Sequence, residues 1–283
     1  MNLAVQGTVK LANASRVGST SSRINQALIA GGCNGYAPCR WNGGGDRVWA
    51  TTVGTSPPTV TRPTADFDYW YLNASPGPRH PCTTVVGTPP TFENETTNPT
   101  RNSSAVTVDL TPSSSYTCRT ASGELSWDAA TKTLTVRGVI FVDGSVTAGN
   151  NATNNYNGQA SLYVNNTFTL NNSTEVCGGV TAGHCDFGAW NPNTELLIVV
   201  VNGSSGGDVQ FADAARFQGG IYATRSIKLA DAVRLEGPLI GSTVEFAGSA
   251  QAKPFPLIST VPLGTPGNPN VYADPQPPAN FGG

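Results

Sequence analysis

Charge is what this chain has least of. Of 283 residues, 16 are Lys or Arg and 18 are Asp or Glu, so 12% are charged, against roughly 25% in ordinary soluble domains. Only four are Lys and the formal net charge is −2. A polyanion therefore finds no general counterion-release handle, and no local Arg cluster replaces it. Long apolar runs are missing too. The longest, Leu196 to Val201, is far short of the roughly 18 to 20 residues of a membrane span, and no charged-then-apolar signal segment opens the chain. There is no GxxxxGK[ST] and no HExxH, and the only imidazoles are His80 and His184, which leaves phosphate-loop and zinc-protease chemistry without its residues.

What is abundant is uncharged and turn-forming: 24 Asn, 32 Gly and 21 Pro. Such a chain favours strands and turns over helices. Its 38% apolar residues supply a substantial core, enough for one large all-β domain or a core plus a smaller module. The six cysteines, an even number beside a single Met, point to disulfides and an oxidising, extracellular compartment. Six cysteines allow 15 connectivities. Loop lengths pair Cys33 with Cys39 and Cys177 with Cys185, which leaves Cys82 with Cys118. A zinc site is disfavoured because no CxxC occurs and His184 beside Cys185 is the only directly adjacent His/Cys pair. Nine Asn-x-Ser/Thr sequons, at Asn13, Asn73, Asn94, Asn102, Asn151, Asn165, Asn171, Asn172 and Asn202, fit an external protein, although an Asn- and Thr-rich composition supplies many by itself.

One short pattern recurs: three or four apolar residues, a polar turn position, then Thr or Ser and another apolar residue. Copies begin at Val139, Ser161, Ile198, Gly220 and Pro238, which are 22, 37, 22 and 18 residues apart. A step near 20 is a solenoid step, interrupted once by the excursion around Cys177 to Cys185. A sixth copy opens the chain at Asn2 to Lys10. The expected fold is all-β, a right-handed parallel β-helix (β-solenoid) carrying a large, disulfide-stapled, loop-rich insertion. Residues 1–19 form the first rung, 20–125 the insertion packed on the solenoid, 126–252 the main solenoid and 253–283 a Pro-rich extended tail. The polar turn positions Asp143, Asn165, Asn202, Thr224 and Ser242 stack as a structural turn ladder, in which amides and hydroxyls satisfy corner backbone groups. Low charge follows from this arrangement, since like charges about 4.8 Å apart repel.

Within the insertion, Ile24, Ala27, Leu28 and Ala30 give a short helical stripe over Ser21 to Ala30, and Phe67 to Tyr71 reads as an aromatic plug packed on the coil. Phe255, Leu257, Ile258 and Val261 are expected to pack along the solenoid side or cover its last rung, followed by a mobile tail from Pro275.

β-Helices also include polysaccharide lyases and hydrolases, whose sites need clustered carboxylates. In this register the acids Asp143, Asp186, Asp208, Asp213, Asp231, Glu236 and Glu245 do not fall in one column. Asp213, Asp231 and Arg234 approach one another across consecutive rungs, as an exposed turn ladder or ion pair. Asp66 and Asp68 make only a fraction of a calcium site. His80 reads as a loop residue and His184 as a hydrogen-bonding partner within the small disulfide loop. No catalytic residue, metal site or cofactor is assigned.

Several runs, Gly123 to Asp128, Lys132 to Ser145, Tyr156 to Tyr163, Cys185 to Asn191, Phe217 to Ala223 and Glu236 to Ile240, carry a resemblance. The chain resembles the extracellular part of pilus-assembly, PilX-type, type IV minor-pilin-like surface proteins. In that group a membrane-anchoring N-terminal helix precedes a β-solenoid, whereas here Met1 runs straight into the first repeat, as in a soluble ectodomain. The resemblance implies an extracellular or cell-surface structural or adhesive module, non-catalytic, with other pilus or surface proteins or a polysaccharide as partners. A carbohydrate-active β-helix enzyme or a polysaccharide-binding module is the alternative. The cysteine reading has a direct test: the intact mass without reductant should lie three hydrogen pairs below the reduced mass, and the full thiol mass would refute it.

Overall fold

The computed structural model describes residues 2–11, 17–18, 21, 23–33, 39, 48–59, 61–92, 101–102, 106–202, 209–253 and 255–268. Asn13, Asn94, Asp208 and the tail from Pro275 lie outside them. The chain opens with β1 (Asn2–Val5), β2 (Ile24–Ile29) and β3 (Ala50–Gly54), then the helix α1 (Phe67–Asn73). β4 (Thr84–Gly87), β5 (Thr107–Asp109), β6 (Tyr116–Arg119), β7 (Glu124–Asp128) and β8 (Thr133–Val142) follow. Next come β9 (Ser145–Ala148), β10 (Thr153–Asn157), β11 (Gln159–Val164), β12 (Phe168–Leu170), β13 (Glu175–Cys177), β14 (Val180–Thr181) and β15 (His184–Cys185). The last are β16 (Leu196–Val201), β17 (Val209–Phe211), β18 (Arg216–Gln218), β19 (Gly220–Ala223), β20 (Ser226–Leu229), β21 (Arg234–Glu236), β22 (Leu239–Ile240), β23 (Thr243–Phe246) and β24 (Gln251–Lys253). The protein is nearly all β.

Apart from the antiparallel pairings β4–β6–β7–β8 and β14–β15, strands this short leave backbone groups that sequence neighbours do not satisfy, so they pair in parallel with strands farther along the chain. Three parallel ladders result. The first runs β8-β11-β16-β19-β22, the second β8-β10-β13-β18-β21-β24 and the third β5-β9-β12-β17-β20-β23. The ten-residue β8 serves two of them: Thr133 to Thr135 pair with β10, and Gly138 to Val142 with β11. The repeat starts meet in register, with Val139 opposite Ser161, Ser161 opposite Ile198 and Ile198 opposite Gly220. At one end the antiparallel strands β7, β6 and β4 extend from β8.

Alternation decides which side chains face inward. In the third ladder Val146, Ala148, Phe168, Leu170, Val209, Phe211, Ile227 and Leu229 are all buried. They meet Leu134, Val136, Tyr156, Val176, Phe217 and Leu235 from the second ladder and Ile140, Leu162, Val199 and Ile221 from the first in one core. Where the second ladder turns into the first, Gly219 and Gly237 take φ values of 145° and 147°. A Cβ at Gly237 would run into the carbonyl of Gly219, so the corner demands glycine for space as well as for its dihedral.

The N-terminal segment is organised differently from expectation. Ser21 to Ala30 contains β2 and no helix, because Ile24, Ala27 and Ile29 are buried while the strand is hydrogen-bonded on both sides, to β1 and β3. Strands from either side of the boundary expected at residue 19 thus share one parallel sheet. β5 and β6, which lie within the span read as an insertion, pair with β9 and β7. A parallel bridge from Leu11 to Phe246 joins the N-terminal segment to β23, the last strand of the third ladder. Cys33 is bonded to Cys39, Cys82 to Cys118 and Cys177 to Cys185, the three pairs read from loop lengths.

The three rings Phe168, Phe211 and Phe217 fill the core with centroids 5.6 to 6.3 Å apart. Phe168→Ala opens a cavity at their centre. We expect a loss of about 3–5 kcal/mol in denaturant unfolding, and a loss below about 1 kcal/mol would contradict this packing.

Candidate functional site

The expected turn ladder runs along the corner between the first and third ladders. Asn165 Nδ2 donates to Asp143 Oδ1, and Asn202 Nδ2 donates to Asn165 Oδ1 at 2.8 Å. Asp143 and Asn165 are both about 1% exposed. Their backbone donors climb with them: Asn165 N to Val142 O, Asn202 N to Val164 O and Thr224 N to Val201 O, each near 3.0 Å. Further along, Ser242 Oγ donates to Thr224 O, and Arg62 Nη1 reaches both Thr224 O and Ser242 Oγ. Arg101 clamps the other end, with Nη1 on Asn165 Oδ1 and Nε on Asp68 Oδ1. These side chains hold the corner; their lone pairs and donors face one another.

Of the remaining acids read from sequence, Asp231, Asp66 and Asp68 are each engaged by different partners, whereas Asp186 and Glu236 come together on the second ladder. Asp231 Oδ1 accepts from Ser249 N and Oγ and from Ala232 N, which holds its carboxyl below the usual range. Among the described residues neither Asp213 nor Asp231 forms an ion pair with Arg234. Asp66 caps α1 by accepting from Tyr69 N, and Asp68 is taken by Arg101. His80 Nε2 bonds Leu72 O. An open depression of about 400 Å³ lies beside β5 and β7; Asp109 accepts from Thr111 N, Trp127 Nε1 donates to Pro112 O and Asn150 bonds Asn154, while the Thr111 hydroxyl is buried without a hydrogen-bond partner. The letters of a nucleophile elbow occur at Gly203-Ser-Ser-Gly-Gly207, outside the described residues. That motif needs a strand before it and a helix after it, and here the next element is β17.

The outward faces of the three ladders differ. That of the first is apolar and covered: Phe67, Trp70 and Tyr71 of α1 pack on Val139, Phe141, Tyr163, Ile198, Val200 and Tyr222, joined by Ile258 and Leu263 of the C-terminal stretch. Tyr163 Oη donates to Gly264 O at 2.7 Å. The aromatic run is thus a capped helix laid on a sheet face. Of the four tail residues expected to pack, Ile258 does so, whereas Phe255, Leu257 and Val261 are exposed, Leu257 at 86%, with the Leu257 carbonyl accepting from Asn193 Nδ2.

On the second ladder, register aligns Glu175 with Arg216 and Arg234, and Gln218 with Glu236. The β14–β15 hairpin and the segment to Glu195 lie over this face. Glu175 accepts from Cys185 N and contacts His184 Nδ1 at 3.0 Å. Gln218 accepts from Gly179 N and donates to Asp186 O and Glu236 Oε2. Lys253 Nζ sits 4.9 Å over the Phe187 ring. Burial, opposed by Gln218 and Lys253 and reinforced by Asp186, pushes the Glu236 carboxyl up to about 7. The clustered acids of this face were missed in the sequence. Glu175 was passed over, although its i, i+2 spacing from Cys177 places both on one strand face.

The third ladder carries neither an outer hydrophobic cluster nor a covering hairpin among the described residues. One outward column reads Asp109, Thr147, Thr169, Gln210, Lys228, Glu245 in register. Beside it Thr167 Oγ1 donates to Ser145 Oγ at 2.9 Å, and Ser226 pairs with Thr243.

Residues 119–255, which run from the end of β6 past β24, match a family model described as a domain of unknown function (DUF7305). No curated protein and no solved structure matches the chain.

Glu236 sets a pH dependence. Its folded carboxyl keeps its proton up to about pH 7, whereas its ordinary value is 4.5. Between those values the folded state binds more protons, so this group's contribution to stability falls as pH rises. Glu236→Gln should flatten the decline in melting temperature between about pH 5 and pH 8 relative to wild type; parallel declines would refute the shifted carboxyl.

Proposed function

We propose that this chain is a non-catalytic, extracellular surface module of type IV pilus-like machinery. It is built as a right-handed parallel β-solenoid and uses the outward face of its third ladder to adhere to a polysaccharide. The observation that carries the reading is the contrast between faces: two are covered, and the third, among the described residues, presents the hydroxyls and amide of Thr147, Thr169 and Gln210 between Asp109 on one side and Lys228 and Glu245 on the other. Hydroxyl side chains both donate and accept, and rows repeating about every 4.8 Å offer a regular lattice to a polyhydroxylated chain. Individually weak contacts gain strength by multiplicity. The near-neutral centre of the face gives a polyanionic nucleic acid no counterion-release advantage. Three disulfides fit an oxidising compartment, and no helix among the described residues is long and apolar enough to cross a membrane. The link to pilus machinery rests on the sequence resemblance.

A carbohydrate-active enzyme is the second reading. It draws on the second ladder's face, where Glu236, with its carboxyl near 7, lies close to Asp186, as a general acid would need. Glu236 is only 3% exposed beneath the hairpin, which favours the adhesive reading.

A glycan array separates the two. Adhesion predicts binding without product release, reduced roughly a hundredfold in the triple variant Ser145→Ala, Thr147→Val, Thr169→Val, which removes three hydroxyls worth about 1 kcal/mol each. Product release abolished by Glu236→Gln would support the enzyme. Binding that the triple variant leaves unchanged would exclude the third face.

A further inference from the structure

β13 sends Glu175 and Cys177 outward from the second ladder, and the β14–β15 hairpin folds Cys185 and His184 back over them. The ligand atoms of Glu175, Cys177 and Cys185 all lie within 4.8 Å of one another, and the three residues are buried. His184 Nδ1 is 3.0 Å from Glu175 Oε1. Two sulfurs, an imidazole and a carboxylate are a complete tetrahedral donor set for zinc. Bonds of about 2.0–2.3 Å place neighbouring ligands roughly 3.3–3.8 Å apart; Glu175 lies within 4.8 Å of both sulfurs and 3.0 Å from His184 Nδ1, so reaching that spacing requires the bonded sulfurs to part and the exposed His184 ring to turn toward them. The carboxylate is already oriented, by Cys185 N at 2.7 Å on Oε2 and Arg216 Nε at 3.5 Å from Oε1, as outer partners of a metal ligand are.

We propose that the Cys177–Cys185 disulfide closes over a latent zinc site made by Cys177, Cys185, His184 and Glu175. A dithiol opens it: two electrons from the dithiol break the S–S bond, its two protons pass to the sulfurs, and the dithiol leaves as its own disulfide. Zinc then binds both thiolates and displaces those two protons. The same cation serves a chain that folds before it is oxidised, holding the hairpin on Glu175 until the disulfide replaces it.

Cobalt(II) reads this site directly. Titrated into the full chain kept reduced under argon, Co²⁺ should give thiolate-to-cobalt charge transfer in the near ultraviolet and intense visible bands of tetrahedral cobalt. They should saturate at one equivalent, disappear on adding Zn²⁺, and be absent from the oxidised chain. The bands should survive Cys33→Ser with Cys39→Ser and vanish in Cys177→Ser with Cys185→Ser. His184→Ala, at an exposed position that leaves the fold intact, should weaken cobalt at least as much as the roughly 10- to 100-fold that loss of an outer-shell partner costs. Absence of tetrahedral bands in the reduced chain, their persistence without Cys177 and Cys185, or unchanged affinity in His184→Ala would each overturn the assignment.

Discussion

Within the three parallel ladders each strand takes its backbone hydrogen bonds from strands well separated from it in sequence, and the rest of the molecule follows from that dependence. A turn whose corner is misplaced leaves two neighbouring turns unpaired, so corners must repeat. They do so through side chains that bond their own kind along the stack: Asp143 to Asn165 and Asn165 to Asn202. They also do so through glycine where a second backbone passes too close for a Cβ, as at Gly237. A column of identical charges in these places would repel at about 4.8 Å, which accounts for the scarcity of Lys, Arg, Asp and Glu.

The same dependence leaves each ladder with an outward face that needs a solvent, a cover or a ligand. The first ladder's answer is visible within its strands. Leu196 to Val201 is buried at every position, because inward residues meet the core and outward ones meet α1 and the C-terminal stretch. Such a continuous run marks a strand covered on both sides. The third ladder alternates, as in Phe168-Thr169-Leu170 with burial, partial exposure and burial, and its outer side carries hydroxyls at the centre with an amide and charged residues toward the ends. The second carries charged and amide residues whose bonds go to a hairpin from elsewhere in its own turn.

Strand positions, corner residues and the register of Val139, Ser161, Ile198 and Gly220 were legible because each is written several times over at a nearly constant step. Features written once were not. α1 is seven residues with an Asp66 cap, too short for a helical period, and its aromatics read equally well as a loop. Ile24 to Ile29 has spacing compatible with helix or strand, and only its neighbours β1 and β3 decide between them. Glu175 looks like any polar residue until the hairpin brings Cys185 N and His184 against it.

The amino-acid sequence by itself determined the β class, the corners and the two short cysteine loops, Cys33–Cys39 and Cys177–Cys185. Those depend on alternation, turn chemistry and short loops, all of which act over a few residues or repeat at a fixed step. Only the tertiary structure decided which faces are covered, how Glu236 comes to be buried beside Asp186 and Lys253, and that the N-terminal segment returns to Phe246. Each of these depends on segments far apart in the chain whose burial against one another has no local period to announce it.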